Sequence, residues 1–214
     1  MRRKGFTLIE LLVVVGIIAV LIAVLVPALH TARQKARDVA CASRMRQIYA
    51  AFVAYLDDHN DVAFWRGYDI NLVGMDWYVF GGRETDNKYQ GVQGNLFNMY
   101  VPRPLNAYVS RSIDLFRCPD DTAPLSDTEG YLHFEYFGND YIFNCYGLDY
   151  AAGQRSGGFA GVRFGSGQYP SATMVFQENT FRKDTGWHDG QGNLLLADGH
   201  RVFVGSVEGY RWDP

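Results

Sequence analysis

The hydrophobic pattern of this chain changes twice. From residue 6 to residue 29 nearly every position is apolar and no amphipathic period is visible. Apolar residues then thin to one in three to five, at Leu29, Ala32, Ala36, Cys41, Met45, Ile48, Phe52 and Leu56. Arg33, Lys35, Arg37, Arg44 and Arg46 take the other faces, and the run Asp57, Asp58, His59, Asn60, Asp61 ends the period. The first stretch is a helix of roughly 24 residues, long enough at about 1.5 Å per residue to cross a hydrocarbon layer of about 30 Å. The second is its amphipathic continuation, with one apolar face. From residue 6 to about residue 55 the helix would be roughly 75 Å long. Pro27 removes one backbone hydrogen bond, so a kink or local melting is expected there. The outer half is expected to pack on a domain while the inner half projects as a stalk.

Beyond residue 61 the apolar runs are short and separated by Gly, Asn and Asp, which predicts strands and long loops. Residues 172–178 read as a strand, and 193–197 and 200–204 read as two strands of a hairpin around Asp198 and Gly199. An Asp-Gly pair there predicts a two-residue turn in which both central residues have positive φ. Between Phe64 and Tyr150 the pattern supports only short strands around Tyr78, Leu96, Phe134 and Tyr141. The fold class is therefore α+β: a long kinked amino-terminal helix, its inner half transmembrane, packed on a carboxy-terminal antiparallel sheet with long loops. The organisation expected is a leader at 1–5, a membrane helix at 6–29, its amphipathic continuation at 30–60 and a β-rich domain at 61–214.

Charge sharpens the orientation. Residues 1–60 carry 8 Lys+Arg against 4 Asp+Glu, and residues 61–214 carry 12 against 19. The basic end is the membrane end, with Arg2, Arg3 and Lys4 holding the amino terminus in the cytoplasm. The acidic remainder argues against a nucleic-acid partner, which would require clustered positive charge. A cleaved secretory signal fits poorly, because its apolar core is about 7 to 15 residues long. A plain anchor leaves Glu10 unexplained, since a carboxylate inside a spanning helix costs roughly 2.5 to 3.5 kcal/mol on insertion scales. Cleavage after Gly5 would place a new amino group on Phe6 within one helical turn of that acid.

Gly5, Phe6, Thr7, Leu8, Ile9 and Glu10, the apolar stretch after them and Pro27 resemble the amino terminus of type IV prepilins and type II secretion pseudopilins. The resemblance implies a pilin-like fold, cleavage after Gly5 by a prepilin peptidase that also methylates Phe6, and assembly of a filament through packed amino-terminal helices. Gly5 and Phe6 would be the processing residues, and Phe6, Glu10 and Pro27 the assembly residues. The partners implied are further copies or other pseudopilins, the peptidase and N-methyltransferase, an inner-membrane assembly platform and membrane lipid.

A second pattern lies near the carboxy terminus: His188, nine intervening residues, then Asp198 and Gly199, with Gly190 and Asn193 between them. It is similar to the prepilin-associated domain named H-X9-DG for that spacing, and it covers 188–199. The stretches 41–48 and 116–121 also look familiar from that group, although Arg44 stands where an Asn is usual. No cofactor is required by this reading. His188, Asp198 and His200 are nonetheless candidate metal ligands, with Asp189 and Glu178 as additions. Calcium would require six to eight oxygens, including Asp120 and Asp121, whereas a transition metal suits the imidazoles better. The competing reading is that Asp198 and Gly199 make the turn and His188 packs across the sheet.

Export would place the three cysteines, Cys41, Cys118 and Cys145, in an oxidising compartment. Cys118 and Cys145 are the candidate pair, closing a loop of about 27 residues for roughly 3 to 4 kcal/mol in the chain-entropy model. Cys41 is expected as a small buried thiol on the helix stripe. Phosphate-cradling, dinucleotide, zinc-protease and nucleophile-elbow motifs are all absent, so no enzyme is expected. Aromatic groups at 64–65, 77–78, 134–137 and 141–150 read as core, with sugar or protein stacking as the alternative. The expected function is a structural subunit of a type II secretion pseudopilus or type IV pilus-like filament, with its globular part periplasmic or on the surface. The alternative is a non-polymerising module, anchored in the inner membrane, that binds sugar or a secreted protein.

Overall fold

The computed structural model describes residues 7–64, 78, 80–83, 103–110, 112–122, 124, 130–144, 148, 149, 154, 155, 158, 159, 161–165, 170–178, 187–205 and 210. The chain divides into two compact units, Met1–Val39 and Ala40–Pro214. A single helix, α1 (Leu8–Asp58), begins in the first and ends in the second, unbroken at Pro27. The local melting expected at the proline is not seen, and the Thr31 hydroxyl donates to the Pro27 carbonyl at 3.2 Å. In the first unit all large apolar side chains of residues 8–29 are exposed. A helix apolar all round is stable only in lipid or among other helices.

In the second unit α1 buries Cys41, Ala42, Met45, Ile48, Ala51, Phe52 and Leu56, the face that the three- to five-residue spacing predicted. The helix stops where Asn60 and Asp61 turn left-handed, at φ 56° and 62°, with the Asp61 N–H donating to the Leu56 carbonyl at 2.8 Å. Asn and Asp tolerate that conformation better than other residues with a side-chain Cβ.

The sheet is antiparallel, in the order β1 (Tyr141–Phe143), β4 (Met174–Glu178), β5 (Gly192–Leu196), β6 (Arg201–Val204). A two-stranded ribbon pairs β2 (Leu148–Asp149) with β3 (Gln154–Arg155). A register irregularity between Met174 and Phe176 lets both Val175 and Phe176 join the core against α1. Phe52 lies at its centre, edge-on to Phe64, Phe164 and Phe176 at centroid distances of 5.6, 5.2 and 5.3 Å. Leu194 and Leu196 face the other side of the sheet, packing with Met174, Val202, Val204 and Tyr210.

Three local expectations are corrected, the first at Tyr78, which is helical and not in a strand. Phe134 is not in a strand but in a short helix, α2 (His133–Phe137). The Asp121 carboxylate accepts the His133 and Phe134 N–H groups at 3.1 and 3.0 Å, and Gly138, at φ 75°, ends the helix. The β5–β6 connection is also not a two-residue turn. The Gly199 N–H donates to the Leu196 carbonyl and the Leu196 N–H to the His200 carbonyl, at 2.9 and 2.8 Å. Gly199 has φ 82°, whereas Asp198 is not among the positive-φ residues. This is a three-residue loop with a glycine bulge, which spares Asp198 a strained conformation. Tyr49 of α1 clasps it through a 2.9 Å bond from its hydroxyl to the Ala197 carbonyl. The strand expected near Leu96 lies outside the described residues. Tyr78 packs with Tyr136, Phe137 and Ile142, while Phe64, Phe134 and Tyr141 join the main core, so these aromatics are interior groups.

Replacing Phe52 with Ala is expected to cost the fold about 3–5 kcal/mol, and with Leu less than about 1.5 kcal/mol. Chemical denaturation of the detergent-solubilised chain, followed by tyrosine and tryptophan fluorescence, measures both.

Candidate functional site

The amino-terminal segment carries the first candidate site. Thr7 and Glu10 form a reciprocal cap on α1: the Thr7 N–H and hydroxyl donate to Glu10 Oε2 at 2.8 and 2.7 Å, and the Glu10 N–H reaches Thr7 Oγ1 at 3.3 Å. That is a capping box, the Thr-x-x-Glu arrangement that satisfies two otherwise unpaired helix-end donors. The acid that looked anomalous inside an apolar run therefore has a local task, which sequence spacing alone already allowed. Both bonds from Thr7 use the same carboxylate oxygen. Gly5 and Phe6 lie outside the described residues, and Pro27 sits within the continuous helix.

The second candidate is buried in the carboxy-terminal unit, where four separate segments converge. Cys41 comes from the buried face of α1, and Cys118 from the loop after a 3₁₀ turn, Ile113–Phe116. Glu178 is the last residue of β4, and His188 lies in a 3₁₀ turn, Trp187–Gly190, leading into β5. Cys41 Sγ and Cys118 Sγ are 2.8 Å apart, Cys118 Sγ is 3.3 Å from His188 Nε2, and His188 Nε2 is 3.6 Å from Glu178 Oε1. All four residues are at most 1 % exposed. Trp187 closes the cluster against the two cysteines.

The surroundings hold these groups in place. The His188 N–H donates to Asp120 Oδ2 at 2.7 Å, and His188 Nδ1 lies 3.7 Å from the same oxygen. Glu178 Oε2 accepts the backbone and side-chain N–H groups of Asn193, both at 2.7 Å, and Asn193 Oδ1 accepts from Arg201. Glu178 Oε1, in contrast, is buried, accepts no hydrogen bond among the described residues and has only the longer ion-pair approach of His188 Nε2. The Cys118 loop is pinned by its own N–H, which donates to Asp140 Oδ2 at 2.6 Å, while Asp140 Oδ1 meets His133 Nδ1 at 3.0 Å. His188 has φ 46°, unusual for a side chain with a Cβ. Such strain persists where surrounding contacts over-determine it.

The electrostatics are those of a dry, crowded pocket. Burial by itself would lower the His188 imidazole, but hydrogen bonding to Cys41 and to Glu178 outweighs it and raises the ring to about 11. The Cys41 thiol is lowered by its hydrogen bond with Cys118, whereas burial drives the Cys118 thiol well up. Burial likewise raises Asp140 well above the carboxylate range.

The structure does not bring together the metal ligands expected from the sequence. His188 precedes β5, whereas Asp198 and His200 are exposed at its far end, beyond a five-residue strand that spans roughly 16 Å. Asp198 Oδ1 accepts the His200 N–H at 2.9 Å, a turn-stabilising bond. The nine-residue spacing from His188 to Asp198 is thus the length needed to run from the buried cluster through β5 to the hairpin loop. Glu178 was foreseen as an addition to the His188 set; Cys41 and Cys118 were not. Cys145, the expected partner of Cys118, lies outside the described residues, as does the side chain of Asp189.

Residues 1–26 match the family model described as the Prokaryotic N-terminal methylation motif. The amino terminus is of the prepilin type. With the apolar helix and the antiparallel sheet after it, the layout is pilin-like. Neither the curated proteins nor the solved structures searched contain a match to the chain.

Asp121, one residue beyond Asp120, is raised from 3.8 to about 6 by burial and by repulsion from Asp140. Between those values the folded chain holds more protons at this site than the unfolded chain, so its contribution to stability falls as pH rises. Stability measured for wild type and Asp121→Asn at about pH 4 and about pH 7 should show the wild type losing ground to the variant at the higher pH. A constant difference would contradict the assignment.

Proposed function

We propose that this chain is a structural subunit of a type II secretion pseudopilus or type IV pilus-like filament, cut after Gly5 and assembled through α1. The observation that carries the proposal is the prepilin-type segment at residues 1–26 leading into a helix whose apolar side chains at 8–29 are exposed on every face. Such a helix is held in lipid before assembly and by close packing against identical helices afterwards. The His188 to Gly199 pattern supports placing the chain in the H-X9-DG group, which favours a pseudopilin role in protein transport. The carboxy-terminal unit would then be displayed in the periplasm or on the filament surface.

In this mechanism the uncleaved chain waits in the inner membrane with Glu10 occupied by Thr7. Cleavage creates the Phe6 amine next to that cap, and methylation preserves its charge. Glu10 Oε2 retains the Thr7 bonds, and Oε1 takes the Phe6 ammonium of a neighbouring subunit as each new chain enters. The cap lowers the cost of holding an acid in an apolar bundle, and the ammonium cancels its charge.

Glu10→Gln separates these tasks, because glutamine serves in a capping box but carries no charge. Both Glu10→Gln and Glu10→Ala are expected to be cleaved normally, and both to give few or no filaments. Only Glu10→Ala should increase amide exchange in the first helical turn. Immunoblotting for the mature chain, electron microscopy of sheared filaments and hydrogen exchange in detergent provide the three readouts. Normal filaments from Glu10→Gln would sink the charge-pairing mechanism. Filament failure in wild type, with no crosslinks between mature helices, would favour the tethered binding module instead.

A further inference from the structure

We propose that Cys41, Cys118, Glu178 and His188 form a zinc centre that ties α1 to the sheet of the carboxy-terminal unit. This inference is independent of whether the chain polymerises. The four donor atoms, two sulfurs, one imidazole nitrogen and one carboxylate oxygen, all lie within 4.8 Å of one another. A tetrahedral zinc ion with bonds of about 2.3 Å to sulfur and about 2.0 Å to nitrogen and oxygen sets its donors roughly 3.3–3.8 Å apart. The donor distances of 3.3 and 3.6 Å fall within that range and the sulfur–sulfur distance of 2.8 Å lies below it, so an ion needs the two sulfurs to part by about 1 Å.

Three further features select a metal over simple packing. Glu178 Oε1 is fully buried, faces His188 Nε2 at 3.6 Å and accepts no hydrogen bond among the described residues, while Oε2 is fixed by two bonds from Asn193. A buried carboxylate oxygen without a hydrogen bond is costly, and a metal ion among the donors satisfies it more closely than a 3.6 Å ion pair with His188 does. His188 has Asp120 beside Nδ1, the carboxylate placement that orients a histidine whose other nitrogen binds metal. The Asp120 N–H also points at Cys118 Sγ, at 3.4 Å, as backbone amides do toward coordinated thiolates. A disulfide between Cys41 and Cys118 would account for the sulfur approach but would leave Glu178 Oε1 as it is.

The donor set points to zinc in particular. Two thiolates with imidazole and carboxylate suit a borderline-soft ion, and a set with one oxygen among four donors disfavours calcium or magnesium. Four protein ligands, all buried, make a closed, structural centre rather than one with an open position for water. Binding releases the two thiol protons and any imidazolium proton to water; no electron is transferred. The ion would join residues 41, 118, 178 and 188, and so fix where α1 meets β4 and the turn before β5.

The test uses the full chain in detergent, under reducing conditions and with Cys145→Ser so that Cys41 and Cys118 are its only thiols. Chelator-stripped protein is titrated with Co2+ and then with Zn2+. The expected result is about one Co2+ per chain, with the visible bands of tetrahedral cobalt and a thiolate-to-cobalt charge-transfer band, all lost when Zn2+ displaces it. Cys118→Ser should abolish the two-thiolate spectrum. In case that variant does not fold, Asn193→Ala, which removes a prop of Glu178 without touching the ion, should weaken zinc about 10- to 100-fold. Absence of the charge-transfer band from folded, reduced protein would overturn the proposal. So would cobalt binding unaffected by Cys118→Ser, or isolation of the native chain as a zinc-free Cys41–Cys118 disulfide.

Discussion

The apolar side chains of α1 have two destinations, and the rest of the structure follows from that division. Those at residues 8–29 cover every face of the helix and are exposed. Those at residues 41–56 occupy one face and are buried under an aromatic core centred on Phe52. The hydrophobic effect drives the second burial but cannot drive helix association in lipid, where packing and polar contacts must suffice. The second unit thus has a buried core, and the first an apolar helix exposed on every face. Polymerisation is one way to cover that helix, and the prepilin-type residues at 1–26 supply the processing signal that goes with that solution.

Buried polar groups perform a second kind of work. Arg103, at 4 % exposure, donates to the carbonyls of Tyr78, Gly81 and Phe137, and Asn139 donates to the first two of these. Loops with little regular structure are thereby fastened to one another through backbone acceptors, which a purely apolar interior would leave unsatisfied. Asp121 does the same for α2, and Asp140 for the Cys118 loop. The Cys41, Cys118, Glu178 and His188 cluster sits within this framework, held by Asp120, Asp140 and Asn193.

How much could be read in advance depended on the range of the interaction. The membrane helix, its amphipathic continuation and the β5–β6 hairpin are legible because periodicity and turn chemistry are local. The turn type was misjudged because Asp-Gly favours two hairpin solutions, and the one adopted needs positive φ only at Gly199. Phe134 looked like a strand residue because aromatic runs favour strands, but two backbone bonds to Asp121, more than ten residues away, make a helix there. The buried cluster joins segments 77 to 147 positions apart for Cys41 alone, taking Cys118 and His188 as partners. No local pattern could have paired them, and Asp198 and His200, nearer in sequence, lie at the far end of β5 from His188. Glu10 illustrates the opposite case: its capping box was legible in the spacing from Thr7, but the eye was drawn to its charge.

The central claim is that the apolar helix is completed by processing and assembly and not by a permanent uncut anchor. Intact and peptide mass spectrometry of the chain isolated from its native membrane tests this most directly. The account predicts a mature chain whose first residue is N-methylated Phe6. A stable native population that begins at Met1, or that is cut elsewhere in the apolar stretch, would contradict it.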